Sequence, residues 1–162
     1  MARPPLEDAE ALRAWRDQTL YRLLLRASRA ETTATLRLVQ ARGYGDVSLS
    51  DTNLLANLDT EGTTVTALAR RAGITRQAAS QQVGALGRAG YVERRPSASD
   101  GRAVVIVQTA RGRALLADAL DVVEALEAEY ARLLNPKRLA SLKEALAALV
   151  ERIDPIGTLG RD

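Results

Sequence analysis

The sequence predicts a mainly α-helical fold carrying one small β wing, and three observations predict it. Phenylalanine is absent and aromatic residues make up only 3% of the chain, so the core must be built from Leu, Ala and Val, which suits helix packed on helix. Long stretches at both ends keep apolar residues at three- and four-residue spacing. Between them, the turn-rich run Pro96 to Arg102 leads into the β-branched Val104-Val105-Ile106-Val107, a hairpin pattern. At 162 residues the chain suits one domain, 1–162, better than two.

Residues Met1 to Leu6, with Pro4 and Pro5, are expected to form a short mobile arm. Glu7 to Ala41 follows the pattern of one long helix. Leu12, Trp15, Thr19, Leu23, Ala27, Ala30, Ala34 and Leu38 share a stripe, which Leu20 and Leu24 widen. A helix so long in so small a domain must bury against more than its own fold. Its first part is therefore expected to be dimer surface, with Trp15 as a core or interface anchor. Arg42 to Asp46 is a loop. Ser48 or Ser50 can cap a helix over Asp51 to Leu58, with Leu54, Leu55 and Leu58 inward and Asp51 suited to the helix dipole. Thr60 to Thr63 is a turn, and Thr63 is placed to add a short third strand.

From Thr64 the pattern becomes helix, tight turn, helix. Val65, Leu68, Ala69 and Ala72 fall at helical spacing, Thr64 or Thr66 caps, and Gly73 supplies the left-handed residue that ends the element. Ile74 is the apolar turn residue expected to pin the two helices, and Thr75 caps the second. There Ala79, Val83 and Leu86 turn inward. Gln77, Ser80, Gln81, Gly84 and Arg88 face out, a surface of amides, hydroxyls and guanidinium with no carboxylate. Those groups hydrogen-bond base edges and phosphates in a major groove. Gly90 stops this helix. Tyr91, Val92 and Glu93 begin a strand that resumes at Ala103 to Gln108, with Arg94, Arg95 and Arg102 bounding the turn. A basic-tipped hairpin directly after a recognition helix is a wing.

Thr109 opens a helix reaching Leu134, about 35–40 Å long at 1.5 Å per residue, which is longer than a lid requires and reads as a strut toward a dimer interface. Asn135-Pro136 breaks it, because proline denies the preceding residue an α conformation yet suits the first position of the next helix. That helix, Pro136 to Ile153, carries Leu139, Leu142, Leu146, Leu149, Val150 and Ile153 on one side.

The order LARRAGITRQAAS, QVGAL, RAGYVERR, SDGR, strand and long helix resembles the MarR family of winged helix-turn-helix regulators over nearly the whole chain. The resemblance implies a lobe over 47–108 and dimerisation helices over 7–41 and 109–153. It implies that Arg102 reaches the minor groove while Asp100 holds the wing by an ion pair. Ala98 and Ser99 depart from the family's usual proline or charged residue before that aspartate. Gly84 and Gly87 are unusual in a recognition helix, at about 1 kcal/mol each against alanine. The resemblance further implies a repressor whose operator affinity falls when a small aromatic or phenolic anion binds between lobe and dimer helices, with Trp15, Arg22, Arg26 and Leu55 as candidate walls.

Charge localises the footprint. Arg70 to Arg113 holds nine arginines against Glu93 and Asp100, so this segment carries +7 of a formal +3 and the remainder −4. That asymmetry fits an anionic polymer. Gln77, Ser80 and Gln81 are expected to read base edges. Thr75, Arg76 and Arg88 are expected to hold phosphates, and Arg94, Arg95 and Arg102 to serve the minor groove or its backbone. Two lobes on a two-fold axis would set their helices about one turn of DNA apart, which calls for a palindromic or near-palindromic operator. A nonspecific architectural DNA binder and a winged-helix protein-interaction module are the alternatives. The first does not need a Gln and Ser reading face, and the second does not favour arginine at the wing.

With no Cys and no His, disulfides, thiol switches, Cys/His zinc sites and nucleophile-histidine catalysis are excluded. No paired carboxylates or phosphate loop remain from which to build an enzyme. No metal or cofactor is expected. Lacking an apolar run of about 18 residues or a signal-peptide core, the chain reads as cytoplasmic with no membrane partner.

Overall fold

Short polar side chains decide where each helix begins. In the computed structural model, which describes residues 3–97 and 103–153, the side chains of Asp8, Thr19, Ser48, Thr64, Thr75 and Thr109 each accept from a first-turn backbone amide. They open α1 (Ala9–Asp17), α2 (Leu20–Ala41), α3 (Leu49–Leu55), α4 (Val65–Arg71), α5 (Arg76–Arg88) and α6 (Ala110–Leu134) respectively. Asn135, at φ 64°, breaks the chain after α6, and its Oδ1 accepts from the Arg138 amide at 3.1 Å to start α7 (Pro136–Ile153). Strands β1 (Val92–Pro96) and β2 (Val104–Gln108) pair antiparallel, Val92 opposite Gln108 and Pro96 opposite Val104.

Where a short third strand was expected, Thr63 makes only an isolated bridge to Ile106, and the sheet stays two-stranded. The Thr63 amide donates to Ile106 O at 3.0 Å and its carbonyl accepts from Ile106 N at 2.9 Å.

Several expectations need correction. The single helix over 7–41 is two helices. Thr19 has extended backbone (φ −67°, ψ 144°) and caps α2 instead of lying mid-stripe; its hydroxyl donates to Arg16 O at 2.8 Å, sealing the end of α1 as well. On the far half of α2 the buried residue is Val39, at 1% exposure, whereas Leu38 is 44% exposed, so the inward face lies one residue on from the proposed stripe. The helix after the loop spans Leu49–Leu55 and not 51–58, because Ser48 forms a capping box with Asp51 and the chain turns after Leu55. Ile74 is exposed, not pinned between helices.

Ile74 and Tyr91 occupy the same place in two equivalent helix ends. Gly73 (φ 65°) and Gly90 (φ 80°) adopt the left-handed conformation, and the next amides reach back to Ala69 O and Leu86 O at 3.0 and 2.9 Å. Tyr91 therefore belongs to the cap of α5, with the strand starting one residue later. Its side chain is fully buried, at the centre of a core that includes Val47, Leu54, Leu68, Val83, Ile106 and Val122. The first turn of α6 lies so close to this cap that a Cβ on Gly112 would meet Tyr91 O at 2.1 Å. Only glycine permits that approach.

The core sits in the lobe, at the C-terminal end of α2 and along α6 from Gly112 to Leu126. Helices α1 and α7 bury no residue within the chain. Leu20, Tyr21, Leu23 and Leu24 on α2, and Leu142, Val150 and Ile153 on α7, remain exposed.

Candidate nucleic-acid interface

Helix α5 presents the face that its spacing predicts. Ala79, Val83 and Leu86 are buried, while Arg76, Gln77, Ser80, Gln81 and Arg88 are exposed. Ala85 is the largest apolar side chain exposed on it. Thr75 Oγ1 accepts from the Ala78 amide at 3.1 Å, which places the hydroxyl at the positive end of the helix dipole, where a phosphate binds most favourably. The helix runs unbroken through Gly84 and Gly87. A Cβ on either would make only ordinary contacts, at 3.6 Å to Arg88 and 3.7 Å to Val92 O.

Arg94 and Arg95 are exposed on β1. Arg95 is ion-paired with Glu93, which removes part of the charge expected at the wing base. Asp100 and Arg102 lie outside the described residues.

The arginine-rich segment divides into two kinds of residue. Arg71 donates to Asn57 O at 3.1 Å and Asp59 Oδ2 at 2.8 Å, tying α4 to the turn before it. Arg71, with Thr63, holds the Asp59 carboxyl below its ordinary pKa, Arg71 being the larger cause. Arg111 donates to Ala89 O at 2.7 Å and Tyr91 Oη at 2.9 Å, pairs with Asp46 at 3.2 Å, and stacks 4.4 Å over the Tyr91 ring. These two guanidiniums brace the lobe, so the charge left uncommitted on its surface is smaller than a count of arginines suggests.

Tyr91 is the hub of that bracing. Its hydroxyl donates to Asp46 Oδ1 at 2.6 Å. Burial, with the Asp46 bond adding to it, pushes its pKa up to about 12, and the same hydrogen bond lowers that of Asp46. Two residues earlier, the Tyr44 hydroxyl donates to Asp118 Oδ2 at 2.5 Å, and Arg42 donates to Asp118 O at 2.7 Å. The loop between α2 and α3 thus joins the C-terminal cap of α5 to α6. Sequence reading treated Arg42 to Asp46 only as a connection, since its partners are remote in the chain.

A cavity of about 290 Å³ lies between α2, α3 and α6. Leu55 lines it. Trp15, Arg22 and Arg26 do not: Trp15 is half-buried on α1, Arg22 pairs with Asp17 at 3.7 Å across the α1–α2 break, and Arg26 is exposed. The α2 wall is instead Glu31, Thr32, Thr35, Leu36 and Val39, a face adjacent to the stripe that the apolar spacing suggests. A shallower cleft beside α5 brings Ser50, Asn53 and the exposed Ile74 next to Gln81 and Gln82. Among the described residues no helix is long and apolar enough to cross a membrane.

The family model that matches the chain is that of the MarR family, over residues 46–103. No curated protein matches it. Among solved structures, a Mycobacterium tuberculosis MarR family protein in complex with salicylic acid is 31% identical, with a TM-score of 0.62 over 82% of this chain and 97% of that one. A transcriptional repressor, CouR, bound to a 23-mer DNA duplex is 27% identical, with a TM-score of 0.66 over 83% of this chain and 94% of that one. CouR from Rhodococcus jostii bound to p-coumaroyl-CoA is 21% identical, with a TM-score of 0.67 over 86% and 94%, a likeness of fold alone.

Proposed function

The chain belongs to the MarR family of DNA-binding transcriptional regulators, and from that premise we propose that it is a homodimeric repressor of a palindromic or near-palindromic operator, released by a small effector. MarR regulators are in general DNA-binding proteins and not enzymes. The observation that carries the reading is the solvent face of α5: amides, a hydroxyl and guanidiniums with no carboxylate and no apolar side chain larger than alanine. Gln77, Ser80 and Gln81 read base edges, with a Gln amide suited to adenine. Thr75, Arg76 and Arg88 hold phosphates, while Arg94, Arg95 and Arg102 serve the wing, with Asp100 steadying it.

Dimerisation through the helices over 7–41 and 109–153 gives the uncovered leucines of α2 and α7 a partner and sets the spacing of two lobes of residues 47–108. The cavity between α2, α3 and α6 is the effector site. It lies where lobe and strut meet, so an occupant that favours one angle between them changes the spacing the operator requires. The relative solved with salicylic acid and the one solved on DNA support both halves of this reading.

Footprinting on the DNA upstream of the protein's own gene, at two salt concentrations, tests it. A symmetric protected site is expected. Gln81→Ala should cost about 1–3 kcal/mol at that site with little change on random DNA. Arg102→Ala should weaken all sequences alike and lower the salt slope by about 1. Uniform protection that ignores Gln81 would instead mark an architectural protein.

A further inference from the structure

The cavity between α2, α3 and α6 lacks the chemistry of an anion site. Its apolar walls include Leu36, Val39, Leu55, Leu115 and Val123, and the one charged side chain lining it among the described residues is Glu31. The Tyr130 hydroxyl donates to Glu31 Oε2, so that carboxylate is held in place on the wall. The nearby arginines are engaged elsewhere: Arg113 donates to Gln108 O at 2.9 Å, and Arg42 is bound to Asp118.

Two of the three lining hydroxyls are committed too. Thr32 donates to Ser28 O at 2.6 Å and Thr52 to Leu49 O at 2.8 Å, so both turn only acceptor lone pairs toward the cavity. Thr35 and the Gln108 amide are the lining side chains with hydrogens still to give. A bound carboxylate would face Glu31 without a cation and find few donors, and burying such a charge unpaired is strongly unfavourable.

We propose that this cavity selects an uncharged aromatic that brings its own hydrogen-bond donor, such as a phenol, benzylic alcohol or primary amide, and discriminates against aromatic carboxylates. This rests on the reading of the cavity as the effector site. The ring packs between α2 and α6, and its donor meets the acceptors of Glu31, Thr32 or Thr52. At about 290 Å³ the space is at the small end for ligand sites and suits a single substituted ring.

Calorimetry on the full chain with matched probes tests the selection: salicylamide against salicylate, and 4-hydroxybenzyl alcohol against 4-hydroxybenzoate. Each neutral probe should bind about tenfold or more tightly than its anion, and Glu31→Gln should narrow that ratio by about tenfold. Ala119→Phe, which fills the cavity, should abolish binding of all four. Anions binding as well as their neutral partners, failure of both neutral probes, an unchanged ratio in Glu31→Gln, or binding that survives Ala119→Phe would each overturn the proposal. Operator affinity is measured separately. A neutral probe that binds in the cavity yet leaves the operator held would sink the effector reading while leaving the ligand class intact.

Discussion

The winged lobe and the helical arms both rely on Leu, Val and Ala for their apolar surface and treat those residues in opposite ways. In the lobe, leucines, valines and Tyr91 are enclosed by elements of the same chain, and each helix is capped by a neighbouring side chain. The arms are capped as well, yet α1 and α7 enclose nothing, and α2 and α7 leave a row of leucines and valines in water. Capping therefore specifies where helices begin, and burial specifies whether one chain suffices. The lobe is complete in a single copy. The arms have an apolar face that a second copy would cover, since exposed apolar patches of this kind mark interaction surfaces.

The sharpest way to break the lobe is at its tightest contact. Gly112→Ala would drive a methyl to 2.1 Å from Tyr91 O; a loss of about 3 kcal/mol or more is expected in urea unfolding, because backbone and not a flexible side chain opposes it. A variant of wild-type stability would show that the strut does not seat on the cap of α5. The arms call for a different test. Leu23→Asp with Val150→Asp, both exposed in one chain, should leave the circular dichroism spectrum unchanged while reducing operator affinity about a hundredfold, through loss of the dimer.

Smaller effects sharpen the comparison inside the lobe. Tyr91→Phe should cost about 1–2 kcal/mol by leaving Asp46 and Arg111 without the hydroxyl between them. It should also change the alkaline limb of stability. With its pKa raised from 10.0 to about 12 on folding, Tyr91 contributes stability that is fully present below pH 10 and is lost as pH rises toward about 12. Tyr130, also raised to about 12 chiefly by its bond to Glu31, contributes a second such loss, so Tyr91→Phe should reduce the alkaline slope without abolishing it. Gly87→Ala is the smallest change and of opposite sign, a gain of about 1 kcal/mol, because the added methyl meets nothing closer than 3.7 Å.

What the sequence made legible was local chemistry. Thr64, Thr75 and Thr109 as caps, Gly73 and Gly90 as helix ends, the inward stripe of α5 and the Pro136 start of α7 all depend on residues within a turn of one another. The break at Thr19 was missed because a threonine at that spacing fits a helix stripe as well as a cap. Ile74 and Tyr91 have the same cap geometry, and only the packing around them sends one to solvent and the other to the core. Arg71 and Arg111 count toward the basic segment in the sequence because their partners lie 12 and 65 residues away. The cavity wall was obscured for the same reason, since Thr32, Thr52 and Val123 meet only in the folded chain.

Sedimentation equilibrium of the full chain, alone and on a duplex carrying its protected site, tests most directly whether two self-sufficient lobes read DNA by way of arms that need a second copy. The expected result is a dimer in both states, two chains per duplex, and a monomeric Leu23→Asp, Val150→Asp variant that retains only weak, sequence-independent binding. A monomer that holds the same site as tightly as the wild type would contradict it.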